Sequence, residues 1–453
     1  MREILTLCVG QAGASIGNKF NEAVCEDHGI DPTGTFWGES ELQLERIDVY
    51  FYEGAAGKYV PRTILMDLEP GNLESIRSSS WGQTYRPDNF VFSKYGSGNN
   101  FAKGYYTEGA ELLEEALDAI RREVEMCECI QGFQMIHSVG GGTGGGFGAL
   151  LMDNIRQDFP DRTICTWSVM PSSKVSDVVV EPYNAILSTH KLLEITDFAF
   201  CVDNESLYDI NKRTLKIANP SLCHLNCLLA RAMCGITSTF RFPGQLNADL
   251  RKLACTLVPF PRLHFFIPGI VPCASRGAQH YRGLNVPELI NEMFSIRSMF
   301  TTCDPRAGKY LTCAAIFRGQ VSTHMVEEYM FTTQHKQSRY FCEWLPNSIK
   351  TAFCDIPPRG LKMSASFIGN NTTIACMWRR LLTNYQTIIR RKAFMHWYIA
   401  EGLQEEEFSL ANANIEDMIS EYQLHETTTD ISHFGFPEEG HQAPPEEEEG
   451  VDN

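Results

Sequence analysis

The residues best suited to chemistry lie between His137 and Gly148, a stretch reading H-S-V-G-G-G-T-G-G-G-F-G. Every residue from Gly140 to Gly146 is glycine except Thr143. Glycine lets a ligand touch the main chain, and N–H groups aimed at one point suit a phosphate. The Ser138 and Thr143 hydroxyls add donors. No Gly-Lys-Ser/Thr follows, so this is not a Walker A loop, and main-chain dipoles with a metal must balance the phosphate charge. Gly10-Gln11-Ala12-Gly13 and Gly96-Ser97-Gly98-Asn99-Asn100 are further glycine turns. Glu69, in Asp67-Leu68-Glu69-Pro70-Gly71, is placed either to hold a metal or to cap a surface turn. Asp177 and Glu181 fall in a segment that reads as a loop, where carboxylates suit ribose hydroxyls if the loop is not simply solvated.

These groups need a scaffold, and the flanking sequence supplies one. Gly132–Ile136 is an apolar run of strand length, and Ala149–Arg156 has helical spacing, stopped by Pro160. The glycines therefore join a strand to the start of a helix, whose unpaired N–H groups favour an anion. Ile4–Val9 is a strand entering Gly10 and a helix to about His28, Thr63–Met66 a strand ending at Asp67, and Phe198–Val202 a strand entering Asp203-Asn204. Such alternation predicts an α/β fold, a Rossmann-like domain with a parallel sheet. Strands at Leu263–Ile267, Tyr310–Phe317, Lys350–Cys354 and Met363–Phe367 predict a second, mixed α/β domain. Thr373–Lys392 and the stripe Ile415, Met418, Ile419, Tyr422 predict a C-terminal helical hairpin, followed by a disordered acidic tail. The expected boundaries are 1–206, 207–380, 381–435 and 436–453.

The net charge is −17, and from Glu401 onward there are 16 acidic residues and no Lys or Arg. The body is thus nearly neutral, which argues against a nucleic-acid surface and for an acidic tail that meets basic partners. The 16 cysteines are scattered without a C-x-x-C pair or zinc spacing, as in a cytosolic protein with reduced thiols. Cys223 and Cys227 are one helical turn apart. No apolar run is long enough for membrane insertion, and the N-terminus does not read as a signal peptide.

The loop Gly140–Gly146 resembles the signature loop of tubulins and their bacterial division relatives. From Met1 to about Tyr422 the chain is most similar to β-tubulin. The resemblance implies a GTP/GDP and Mg²⁺ site: Gln11, Ser138, Gly142, Thr143 and Gly144 on the phosphate side, Glu69 at the metal, Asp177 on the ribose-side loop, and Asn204 and Asn226 on guanine. Amide side chains both donate and accept, which selects guanine over adenine. Arg241–Lys252 resembles the loop that docks on the next subunit's nucleotide. α-Type tubulins carry there a glutamate that activates water, and this chain has Lys252, which cannot do so at neutral pH. No catalytic residue is therefore expected in this chain, and its own GTP would be hydrolysed only in polymer, by a carboxylate of the next α subunit. The implied partners are α-tubulin in a heterodimer, further subunits in microtubules, and motors and microtubule-associated proteins on the tail, in the cytoplasmic cytoskeleton. Ala274–Gln279 resembles the lateral-contact loop.

Five positions depart from the pattern: Ala12, Ala14 and Ser15 stand where the family usually has cysteine, asparagine and glutamine, Gly145 where it has Ser, Thr or Ala, and Leu222 where β-tubulins stack a tyrosine on the base. These losses predict weaker guanine binding and give an alternative role as a capping or regulatory subunit. An NAD enzyme is disfavoured because residue 12, as Ala, breaks the G-x-G-x-x-G spacing.

Overall fold

β1 (Glu3–Val9) is buried along its whole length. Leu5, Leu7 and Val9 enter one hydrophobic core, and Ile4 and Cys8 enter the other. A strand dry on both faces belongs inside a parallel sheet covered by helices on each side. The structure, a computed structural model, describes residues 2–427 apart from 39, 55–56, 173–177, 245–248 and 274–284.

α1 (Gly10–His28) leaves β1 directly. A small separate hairpin, β2 (Phe51–Glu53) with β3 (Tyr59–Pro61), precedes β4 (Thr63–Asp67). Then come α2 (Pro70–Arg77), β5 (Phe90–Phe92), α3 (Glu108–Glu125), β6 (Ile130–Ser138), α4 (Gly148–Asp158), β7 (Thr163–Met170), α5 (Glu181–Ile195) and β8 (Phe198–Asp203). These strands lie in the order β5-β4-β1-β6-β7-β8, all parallel. The chain runs outward from β1 to β4 and β5, then returns to the other side of β1 as β6. That reversal is a topological switch point, and open α/β sheets bind ligands beyond the carboxyl ends of the strands at such a point.

α6 (Asn204–Asp209), α7 (Leu222–Arg241) and α8 (Leu250–Leu257) follow, then β9 (Phe265–Val271), α9 (Val286–Met293), β10 (Tyr310–Gly319), α10 (Thr323–Lys336), β11 (Ile349–Cys354) and β12 (Met363–Asn371). The four expected strands are present, with β9 starting later and β10 and β12 running further than their apolar cores indicated. The mixed part does not form a sheet of its own. β9 pairs parallel to β8 through Ala199 with Phe265 and Phe200 with Phe266, so ten strands make one sheet. Aromatic packing seals this seam, Phe198 stacking on Phe266 at 5.6 Å, and continues to β7, where Trp167 stacks on Phe200 at 4.1 Å. Burying each such ring contributes on the order of 2 kcal/mol.

α7 crosses the sheet against α1 on one side and β9–β12 on the other. Its last residue, Arg241, is fully buried and, with Arg318, ion-pairs with Asp27 at 3.1 and 3.2 Å. Burial pushes the Asp27 carboxyl up, but the two guanidiniums outweigh it and hold the group below its usual value. Removing one partner would strand a buried charge, at a cost of about 3–5 kcal/mol.

α11 (Ile374–Ile389), α12 (Met395–Ala400) and α13 (Glu405–Thr427) close the described chain. α11 and α13 pair as the expected hairpin and pack on α5, around Tyr183, Tyr385, Tyr398 and Phe408. Glu405, Glu406 and Glu407 occupy the first turn of α13, where the helix dipole favours negative charge. Part of the C-terminal acidity thus belongs to a folded helix. The tail 428–453 lies outside the described residues. Among those described, no helix is long and apolar enough to cross a membrane.

Candidate functional site

The parallel strands bring the sequence candidates to one edge. Gln11 follows β1, Glu69 follows β4, Ser138 ends β6 with the glycines next, and Asn204 follows β8. Gly10 has φ of +75°, a left-handed turn into α1, and a Cβ there would lie 3.2 Å from the Gly144 nitrogen. The first and second glycine loops are therefore in contact. A Cβ on Gly144 itself would stand 2.5 Å from the Ser138 carbonyl, so the loop closes only without a side chain. The third loop joins through Ser97, whose hydroxyl is 3.1 Å from that of Thr143. Between Gly142 and α4 the chain makes a π-helical turn, Thr143–Phe147, where a direct strand-to-helix hinge was expected. Such wide turns occur often at functional sites.

Two buried side chains that sequence reasoning passed over hold these loops. His137 places Nδ1 2.8 Å from the Gly144 carbonyl and Nε2 2.9 Å from the Ser168 hydroxyl. Burial pushes its imidazole down to about 4, so it is neutral. A carbonyl can only accept, so Nδ1–H donates to Gly144 and Nε2 accepts from Ser168. Asn184, on α5, donates to the carbonyls of Asn99 (2.7 Å) and Gly140 (3.0 Å), and its Oδ1 accepts from the Phe101 N–H (3.1 Å) and the Tyr398 hydroxyl (2.7 Å). One amide thus ties two loops to the C-terminal helices. The legible signal was an amide within the buried run Tyr183–Leu187. Glu181, expected in a loop, is instead the first residue of α5, with Pro182 fixing the helix start. Asp177 lies outside the described residues.

The metal question turns on β4. Asp67 is only 3% exposed, and burial pushes its carboxyl up to about 6. Its Oδ1 accepts the Glu69 N–H at 3.4 Å, while Oδ2 has no hydrogen-bond partner among the described residues. Glu69 is exposed, and a Cβ on Gly96 would come within 2.6 Å of its Oε1, so the third loop lies against this carboxylate. An orphaned buried carboxylate oxygen beside an exposed carboxylate fits a hard cation. Among the described residues no group of three His, Cys, Asp or Glu could hold a metal. Mg²⁺ in particular needs only one or two carboxylates when phosphate and water complete its shell.

Beyond β8 the candidates lie on helices. Asn204 opens α6 and Asn226 sits in the second turn of α7, both half-buried on helices that pack together. Behind Asn204, Asp203 accepts the Glu205 N–H at 3.0 Å and pairs with Arg380 at 3.3 Å. Leu222, first residue of α7, is 64% exposed. Ser15 turns its hydroxyl to Asn72 at 3.3 Å, and Asn72 donates to the Gln11 carbonyl at 3.0 Å. A Cβ on Gly145 would meet Val139 and Ser188 at 3.0–3.4 Å, facing α5.

Lys252 is elsewhere. It lies exposed in the first turn of α8, whose N-cap Asp249 pairs with Arg2 at 2.5 Å. Arg2 precedes β1, so Lys252 sits at the amino edge of the sheet and the glycine loops at the carboxyl edge. Residues 245–248 of the docking segment, and 274–279, lie outside the described residues.

Residues 3–212 match the family model described as the Tubulin/FtsZ family, GTPase domain, and residues 261–383 match the Tubulin C-terminal domain. The first match covers the three glycine loops, Asp67, Glu69 and Asn204, and ends before Leu222, Asn226 and Lys252. The second runs from just before β9 into α11.

Proposed function

The chain belongs to the tubulin family of GTP-binding cytoskeletal proteins that assemble with other tubulin subunits, and from that premise we propose that it is a β-type subunit. It pairs with α-tubulin and enters microtubules, in the cytoplasm, with motors and associated proteins drawn to its acidic tail. The observation that carries this reading is the placement of Lys252 at the sheet edge opposite the glycine loops. Subunits stacked head to tail bring one molecule's α8 to the next one's loops. With lysine there, this chain leaves its neighbour's GTP intact.

In its own site, main-chain N–H groups from Gly142 to Gly144 bind phosphate with Gln11, Ser138 and Thr143. Asp177 serves the ribose, and Asn204 and Asn226 read guanine. Asp67 and Glu69 are the residues that would hold Mg²⁺, which when bound offsets phosphate charge. The attacking water needs a carboxylate that the next α subunit supplies. Lys252→Glu tests this: in polymer made with the mutant, the neighbour's normally stable GTP is expected to be hydrolysed. If it persists, the role given to this position is wrong.

The exposure of Leu222 favours a second reading, a capping or regulatory subunit with weak nucleotide binding. Labelled chain co-assembled with α-tubulin separates the two: uniform incorporation along the lattice supports the first, confinement to filament ends the second.

A further inference from the structure

Cys223 and Cys227 lie one turn apart at the start of α7, on the same helix face. Cys223 is exposed and Cys227 half-buried, and their thiols are in hydrogen-bond contact. The Lys19 ammonium of α1 faces both sulfurs, anchored by Glu22 at 2.5 Å. Ten of the sixteen cysteines are buried, out of an oxidant's reach. Here two thiols share a cation, and one of them meets solvent.

We propose that Cys223 and Cys227 form a thiol–disulfide exchange site for low-molecular-weight disulfides, and that closing it loosens guanine binding. The Cys223 thiolate, beside Lys19, attacks one sulfur of the small disulfide, forming a mixed disulfide and expelling a thiolate that takes up a proton. The Cys227 thiol, which burial and the neighbouring Cys223 sulfur hold above its usual value, passes its proton to the departing second small thiolate as its sulfur attacks that of Cys223. The protein gives up two electrons and two protons, and the small disulfide becomes two thiols.

Closure strains the helix. Neighbours four apart hold their Cβ atoms about 5–6 Å apart, and a disulfide needs about 3.5–4.5 Å. The turn must tighten or unwind. Its amino end is fixed by the Ser221–His224 capping box, with the hydroxyl 2.7 Å from Nδ1. The distortion therefore falls on Leu225 and Asn226, which lie between His224 and Cys227. The coupling rests on the reading that Asn226 binds guanine. A strained, exposed disulfide is also readily reduced, which makes the change reversible.

The test treats reduced, purified, unpolymerised protein with oxidised glutathione, then follows peptide mass and guanine-nucleotide affinity. The peptide Ile217–Arg231 should lose two hydrogens, and affinity should fall about tenfold, the scale of one lost hydrogen bond to a buried group. Dithiothreitol should restore both. Cys227→Ser should bind nucleotide normally when reduced, stop at the mixed disulfide on Cys223, and keep its affinity. Both thiols remaining free or separately glutathionylated in the wild type would overturn the exchange site. Complete closure with unchanged affinity would overturn the coupling. Should the reduced protein hold no guanine nucleotide at all, the reading of Asn226 fails, and peptide mass alone decides the exchange site.

Discussion

The proposed phosphate side and the proposed base side of the site are built from different materials. The phosphate side is main chain: Gly10 against Gly144, Gly144 against Ser138, with His137 and Asn184 bracing the loops from beneath. The proposed base side is side chains on helices, Asn204 and Asn226, with Leu222 exposed one turn before Asn226. A cradle of backbone depends on what is missing, namely Cβ atoms. Such a cradle does not depend on the side chains at Ala12, Ala14, Ser15 and Leu222. A side-chain pocket has no such protection, so divergence should alter affinity for the base before it alters the phosphate cradle.

Gly144→Val tests that contrast hardest. Its Cβ would press on backbone, which cannot yield, and a loss of roughly 3 kcal/mol or more is expected, read as a lower melting temperature and lost nucleotide. Gly141→Ala is the paired control: nothing lies within 4 Å of its Cβ, so stability should hardly change. Equal effects at both positions would break the account of the cradle.

The brace beneath the loop should show in acid. His137 is held neutral, with its folded value near 4 against an ordinary 6.5. The unfolded chain takes up the proton first as pH falls, so this stability is full above about 6.5 and is lost progressively toward 4. The span is worth up to roughly 3 kcal/mol. Denaturant unfolding between pH 7 and 4.5 should be less pH-dependent in His137→Gln than in the wild type. Identical slopes would remove His137 from the account.

On the base side the expected effect is smaller and of opposite sign. Leu222→Tyr should tighten guanine nucleotide several-fold, about 1 kcal/mol of ring stacking, without changing melting of the nucleotide-free protein. No change in affinity would place the base away from the start of α7.

The same contrast governs what was legible in the chain. Glycine runs and apolar strands are local, so the carboxyl-edge loops could be read directly, whereas the turn expected at Pro70-Gly71 is the start of α2. Pairing of β8 with β9 could not, because it joins residues some sixty positions apart with no period to mark it. Asp67 was hidden because its significance is an unpartnered oxygen, a property of packing. Glu181 was misplaced because Pro182 reads as a breaker where it starts a helix. Gly145, which as a sequence departure suggested a lost donor to the ligand, faces α5 instead.

The most direct measurement is the nucleotide carried by the purified, reduced protein. Mild denaturation followed by chromatography should release one guanine nucleotide for each copy of this chain, beyond any held by a partner subunit, and chelation of Mg²⁺ should shed it. An empty site, or an adenine nucleotide in its place, would contradict the account.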